Sequence, residues 1–233
     1  VGFTEMVEGL AERERIRDLS GRHVGEDVAR AALERGAGAG DAALGGEERD
    51  VAALFVDLVG STALASRLPP TEVVDLLNRY FAVVVEVVTE HGGLVKKFEG
   101  DGALAIFGAP NALDDAAGVA LACARSLATR LTADLPELRA GIGVSAGPAV
   151  AGNVGAEQRF EYTVIGDPVN EAARLTDLAK GIPGGVVASA AALERAGDDE
   201  RGRWCVGDEV ALRGRPHPTR IATPAADPRR PIG

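Results

Sequence analysis

An α+β fold, with helices packed on one face of a mainly antiparallel sheet, is predicted by three features of this 233-residue chain. The apolar run Val51–Val56 ends at Asp57 and leads into the turn Gly60-Ser61-Thr62, as at a strand-to-helix junction. Apolar runs at 94–98 and 103–107 flank Gly100-Asp101-Gly102, the signature of a hairpin. Between these strands Val73, Leu76, Leu77, Phe81, Val84 and Val88 recur at helical spacing. The resulting order is βααββαβ with extra strands behind it.

Each element follows from local chemistry. Residues 1–36 are charged and helix-prone, with a break at Gly21 and a second helix over Gly25–Arg35. Gly and Ala dominate 37–48, which predicts a flexible linker. After strand 51–57 a short helix starts at Ser61, and Pro69-Pro70-Thr71 opens the long helix that ends at Gly92-Gly93. The hairpin 94–107 is followed by a helix over 113–131, a strand at 139–145 and an extended stretch over 148–166. Asp167 is the expected cap of the next helix, with Pro168 in its first turn. Residues 185–221 add short strands and one helix, so the globular domain spans 49–222. The proline-rich tail 223–233 is expected to be disordered.

Composition narrows the class of protein. Apolar residues make up 46% of the chain, enough for a packed core. A net charge of -10 argues against nucleic-acid binding, which needs a basic face. Only Cys123 and Cys205 occur, without His or Cys at metal-ligand spacing, so a structural zinc site is not expected and a reducing cytoplasmic setting is. No apolar run reaches the ~18–20 residues that cross a bilayer, which predicts a soluble piece. The chain begins at Val1 without an initiator Met, which predicts a longer parent protein.

The candidate chemistry lies in three segments. Asp57 and Asp101 place two carboxylates at strand ends, a donor set suited to hard divalent cations that bridge polyphosphate oxygens. Backbone N–H groups at Gly60-Ser61-Thr62 form an anion cradle beside Asp57. Asn170 and Arg174, one helical turn apart, share a face. Singly, each has a plainer reading, because Asp is a common turn residue and Arg174 an ordinary exposed helical side chain. Their joint occurrence in this order is what carries weight.

The segments Phe55-Val-Asp-Leu-Val-Gly-Ser-Thr62, Lys97-Phe-Glu-Gly-Asp101 and Thr163-Val-Ile-Gly-Asp-Pro-Val-Asn-Glu-Ala-Ala-Arg174 resemble the class III adenylyl cyclase catalytic domain in order and spacing. The resemblance implies a ferredoxin-like core. It also implies that Asp57 and Asp101, with Leu58, bind two Mg2+ or Mn2+ ions per active site. Lys97 would bind the adenine ring, Asn170 orient the ribose and Arg174 stabilise charge at the α-phosphate. Gly60, Ser61, Thr62, Arg139 and, more loosely, Arg213 would hold the phosphates. Where many relatives carry an adenine-reading Asp this chain has Thr163, whose hydroxyl still accepts a hydrogen bond.

The implied reaction converts ATP to 3′,5′-cyclic AMP and pyrophosphate by attack of the ribose 3′-hydroxyl on the α-phosphorus, assisted by two metals. No His lies in these segments to act as general base. In the family the aspartates and the Asn/Arg helix of one site come from different subunits, which implies a head-to-tail homodimer. Guanylyl cyclase and a silent nucleotide-binding dimerisation domain are the alternatives. The Gly-Gly-(Asp/Glu)-Glu-Phe turn of diguanylate cyclases is absent. Residues 6–19 resemble the end of a HAMP module with its transducer helix, which implies an upstream membrane segment and a place on the cytoplasmic side of the plasma membrane.

Overall fold

The computed structural model describes residues 45–156 and 159–225. The predicted N-terminal helices and most of the linker and tail lie outside these residues. Among the described residues fourteen elements follow one another: β1 (Gly45–Leu58), α1 (Ser61–Ala65), α2 (Pro70–Glu90), β2 (Leu94–Glu99), β3 (Gly102–Phe107), α3 (Ala116–Asp134), β4 (Ala140–Ala156), β5 (Arg159–Ile165), α4 (Asp167–Ala179), β6 (Val186–Ser189), α5 (Ala190–Arg195), α6 (Asp198–Arg201), β7 (Trp204–Val210) and β8 (Thr219–Pro224). The opening βααββαβ order stands as predicted. One eight-stranded sheet runs β2-β3-β1-β4-β6-β8-β7, with β5 paired to β4. Every pairing is antiparallel except β4 with β6.

β1 is an interior strand, between β3 and β4, and it delivers Asp57. Its side chains alternate between two buried faces, which is why the run reads as continuously apolar. Ala52, Leu54, Val56 and Leu58 pack against α2 and α3 in the larger core, with Tyr80, Val84, Leu121 and Leu127. Val51 and Ala53 face the other way, with Leu104, Ile106, Tyr162, Val164 and Ala172. By the same alternation Asp57 belongs to this second face.

Five expectations need correction. Helices cover both faces of the sheet, because α4 and β5 close the second one. Gly143 and Gly141 of β4 permit this. A Cβ at Gly143 would lie 2.3 Å from the Ala172 carbonyl oxygen, and one at Gly141 would lie 2.6 Å from that of Thr176. β1 starts at Gly45, so 45–48 of the expected linker are strand, paired with Val150–Asn153 of β4. Gly166, not Asp167, occupies the cap position of α4, and Asp167 is the first helical residue. The 185–221 stretch holds two short helices where one was expected. At the tail, Thr223 and Pro224 complete β8.

Candidate active site

Asp57 leaves the sheet near the end of β1, opposite Gly102 of β3 in register. Gly102 lacks the Cβ that would stand 3.1 Å from Asp57 Oδ1, so the carboxylate can rest over the β2–β3 turn that carries Asp101. Burial pushes the Asp57 carboxyl above the ordinary carboxylate range, the hydrogen bond from Lys180 pulls it down, and the charge of Asp101 pushes it up again. Lys180 Nζ donates to Asp57 Oδ2 at 2.5 Å. A cation therefore already neutralises this carboxylate.

The cradle lies beside it. Gly60 adopts a left-handed conformation (φ 75°) that turns the chain from β1 into α1. The Val59 N–H donates to the Arg139 carbonyl at 2.8 Å, which fixes Arg139 next to that turn. Leu58, Gly60, Ser61 and Arg139 line one cavity of about 150 Å³. Thr62 is exposed and does not line it. Two carboxylates are hard oxygen donors, which suit Mg2+ or Mn2+. Among the described residues no group of three or more His, Cys, Asp or Glu side chains gathers to hold a metal. A cation at Asp57 and Asp101 would thus keep positions open for phosphate oxygens and water.

The remaining predicted residues form a second group. Asn170 and Arg174 are exposed on α4, whose buried side carries Glu171, Ala172, Leu175 and Thr176. Among the described residues Arg174 has a long ion pair with Asp177, at 3.9 Å. Lys97 is exposed on β2, bonded to Glu99 at 2.5 Å. The neighbouring Lys96 ion-pairs with Glu161 of β5, and Thr163, two residues further along β5, is half-buried. Arg213 is exposed on the β7–β8 connection, away from the cavity at Gly60.

The structure thus gathers Asp57, Leu58, Gly60, Ser61 and Arg139 at the end of β1 with Asp101 on the adjoining β2–β3 turn, while Asn170 and Arg174 are exposed on α4. Lys180 touches Asp57, and Asn170 precedes it by ten residues on the same helical segment. At 1.5 Å per residue that is about 15 Å of helix axis. Reasoning from sequence missed three residues: Lys180, Arg215 and Glu171. Lys180 is one of only three lysines, the others being Lys96 and Lys97, which was the available signal. Glu171 is buried and accepts hydrogen bonds from Ser145 at 2.6 Å and Thr219 at 2.8 Å, and nothing in the sequence marked it.

This fold and site define a nucleotide cyclase catalytic domain of class III. The chain belongs to the adenylate and guanylate cyclase catalytic domain family, whose model matches residues 46–221. It is 58% identical over 223 residues to the uncharacterized protein Rv1318c of Mycobacterium tuberculosis, covering 96% of this chain and 40% of that one. The uncharacterized protein Mb1354c of Mycobacterium bovis is also 58% identical, with 38% of its length covered. The chain therefore spans about two fifths of these relatives. Among solved structures, the guanylyl cyclase Cya2 is 37% identical with a TM-score of 0.64, covering 77% of this chain and 93% of that one. The adenylyl cyclase CyaB from P. aeruginosa is 25% identical with a TM-score of 0.71, covering 82% of this chain and all of that one (100%).

Proposed function

We propose that this domain is an adenylyl cyclase that converts ATP to 3′,5′-cyclic AMP and pyrophosphate. The observation that carries the reading is the Asp57–Asp101 pair beside the cavity of Gly60, Ser61 and Arg139. Divalent cations held by Asp57 and Asp101, with the Leu58 carbonyl, would neutralise phosphate charge and acidify the ribose 3′-hydroxyl. The main-chain N–H groups after Gly60 and the Arg139 guanidinium bind the terminal phosphates. Asn170 orients the ribose, and Arg174 meets the negative charge that develops at the α-phosphate.

The roughly 15 Å of helix between Asn170 and the Asp57 contact supports sites shared between two copies of the chain. Each site of a head-to-tail homodimer then takes its aspartates from one copy and its α4 from the other. The exposed side chains of Asn170 and Arg174 are free to enter such a site. The extra length of the mycobacterial relatives supports reading the chain as the catalytic part of a longer protein, with a HAMP-type segment upstream.

Lys97 and Thr163 support ATP, since the hydroxyl accepts from the adenine amino group. Glu99 favours a second reading, GTP. Its carboxylate beside Lys97 offers an acceptor for the guanine N–H groups, and the 37%-identical Cya2 is a guanylyl cyclase. The deciding experiment measures cyclic nucleotide formed from ATP and from GTP, with Mg2+ and with Mn2+, by wild type and Asp57→Ala. Cyclic AMP from wild type alone is expected. Unchanged activity in Asp57→Ala sinks the assignment, and silence with both nucleotides marks a dimerisation domain without turnover.

A further inference from the structure

Arg215 lies in the connection between β7 and β8, far in sequence from the helix that it touches. Its two terminal nitrogens donate to the Asp167 carboxylate at 2.6 and 2.9 Å, a two-point contact that fixes angle as well as distance. The same guanidinium ion-pairs with Glu171 at 3.0 Å. Asp167 and Glu171 are one helical turn apart at the start of α4, and Asn170 lies between them in sequence. Glu171 is in turn anchored to Ser145 of β4 and Thr219 of β8. The guanidinium thus joins the first turn of α4 to the sheet through charged bonds on two carboxylates.

The other end of this connection is equally constrained. The Arg215 N–H donates to the Leu212 carbonyl at 3.1 Å, and Gly214 between them has a φ of 80°. That is a tight turn with Gly at its third position, and it places Arg213 at the exposed corner. Arg213 and the stripe Asn170–Arg174 are therefore carried by one braced unit.

We propose that Arg215 is a positioning residue for catalysis: it clamps α4 so that Asn170, Arg174 and Arg213 meet the nucleotide together. The proposal rests on the cyclase reading above and adds a residue to it. Arg215 touches no substrate. Its contribution is the orientation of α4, where a displacement of about 1 Å costs on the order of a hundredfold in rate.

The test uses the full chain with Arg215→Lys, Arg215→Ala, Asp167→Ala and the double variant Asp167→Ala/Arg215→Ala. Three quantities are read: kcat and KM for the nucleotide that wild type turns over, melting temperature, and amide hydrogen exchange over the first turn of α4. Arg215→Ala and Asp167→Ala are each expected to lower kcat about a hundredfold while KM moves less than about threefold. The double variant is expected to lose no more than the worse single one, because the two side chains act as a unit. Arg215→Lys keeps the charge without the fork, so it is expected to fold and to recover only part of kcat. Exchange at residues 171–174, whose N–H groups donate back to the first turn of α4, is expected to rise in every variant. A loss confined to KM in the Arg215 variants, with Asp167→Ala active, would show that Arg215 binds nucleotide directly and overturn the clamp. Unchanged exchange in Arg215→Lys overturns it independently of turnover. A wild type silent with both nucleotides refutes the cyclase reading instead, and the exchange data still decide whether the clamp exists.

Discussion

Lys180 Nζ stands 2.5 Å from Asp57 Oδ2, so the side chain that a divalent cation would need is already paired with a lysine of the same chain. The close approach of α4 to the β4 glycines brings the lysine there. At Gly141 an added Cβ would lie 2.7 Å from the Lys180 Cγ. A divalent cation bound at Asp57 would compete with this ammonium for one oxygen. Lys180→Gln is therefore expected to tighten Mn2+ binding in the absence of nucleotide. A charge-assisted hydrogen bond is worth about 1.5–3 kcal/mol, and solvent screening at this partly exposed pair reduces that. A gain of about tenfold or less in Kd follows, read by isothermal titration. Weaker or unchanged Mn2+ binding in Lys180→Gln would show that the lysine does not occupy the cation's place.

Shared sites make a sharper prediction. Asp57→Ala and Arg174→Ala are each expected to be inactive alone. In their mixture about half the dimers are mixed, and each mixed dimer has one site with both residues intact. Activity is therefore expected to return to about a quarter of wild type. If heterodimers form, by a tag pull-down, and the mixture stays dead, the shared-site model is wrong.

The two cysteines separate by burial. Cys123 is sealed against α2, with its thiol 3.9 Å from the Val87 carbonyl oxygen, and burial pushes it up to about 12. Cys205 is exposed. The thiolate is the reactive form, so iodoacetamide at pH 8 is expected to modify one thiol in the native protein and two after denaturation. Peptide mapping that finds Cys123 modified at the rate of Cys205 would contradict the packing of α3 on α2.

Much of this was legible in the sequence, for physical reasons. β1, α2 and the β2–β3 hairpin announce themselves by apolar periodicity and glycine turns, and those elements carry Asp57, Asp101 and Lys97. The polar start of β1 at Gly45–Asp50 shows no such pattern. It is strand because the long β4 offers it partners as far as Asn153. The covering of the second face by α4 depends on glycines of β4 that look like turn signals until the helix rests on them. Lys180 meets Asp57 across 123 residues, and Arg215 meets Asp167 across 48. Contacts of that range leave no local trace, whereas the motif residues share short segments and so could be found.

The proposed base-reading pair is Lys97 and Thr163, and the structure adds Glu99, which is bonded to Lys97. Thr163→Ala removes one neutral hydrogen bond, worth about 0.5–1.5 kcal/mol, so ATP turnover is expected to fall roughly tenfold or less. Lys97→Ala removes a charged donor, about 1.5–3 kcal/mol, and is expected to cost more. Glu99→Ala separates the two readings. If the base is adenine, Glu99 only restrains Lys97, through an exposed pair that contributes little, and kcat/KM for ATP is expected to stay within about threefold. If the base is guanine, loss of the carboxylate removes an acceptor and lowers kcat/KM for GTP by about tenfold or more. Combining Lys97→Glu with Thr163→Ala is expected to move preference towards GTP, because a carboxylate accepts from the guanine N–H groups. The measurement is kcat/KM for both nucleotides across wild type and these four variants. An ATP-to-GTP ratio that Lys97→Ala leaves unchanged would show that Lys97 does not read the base.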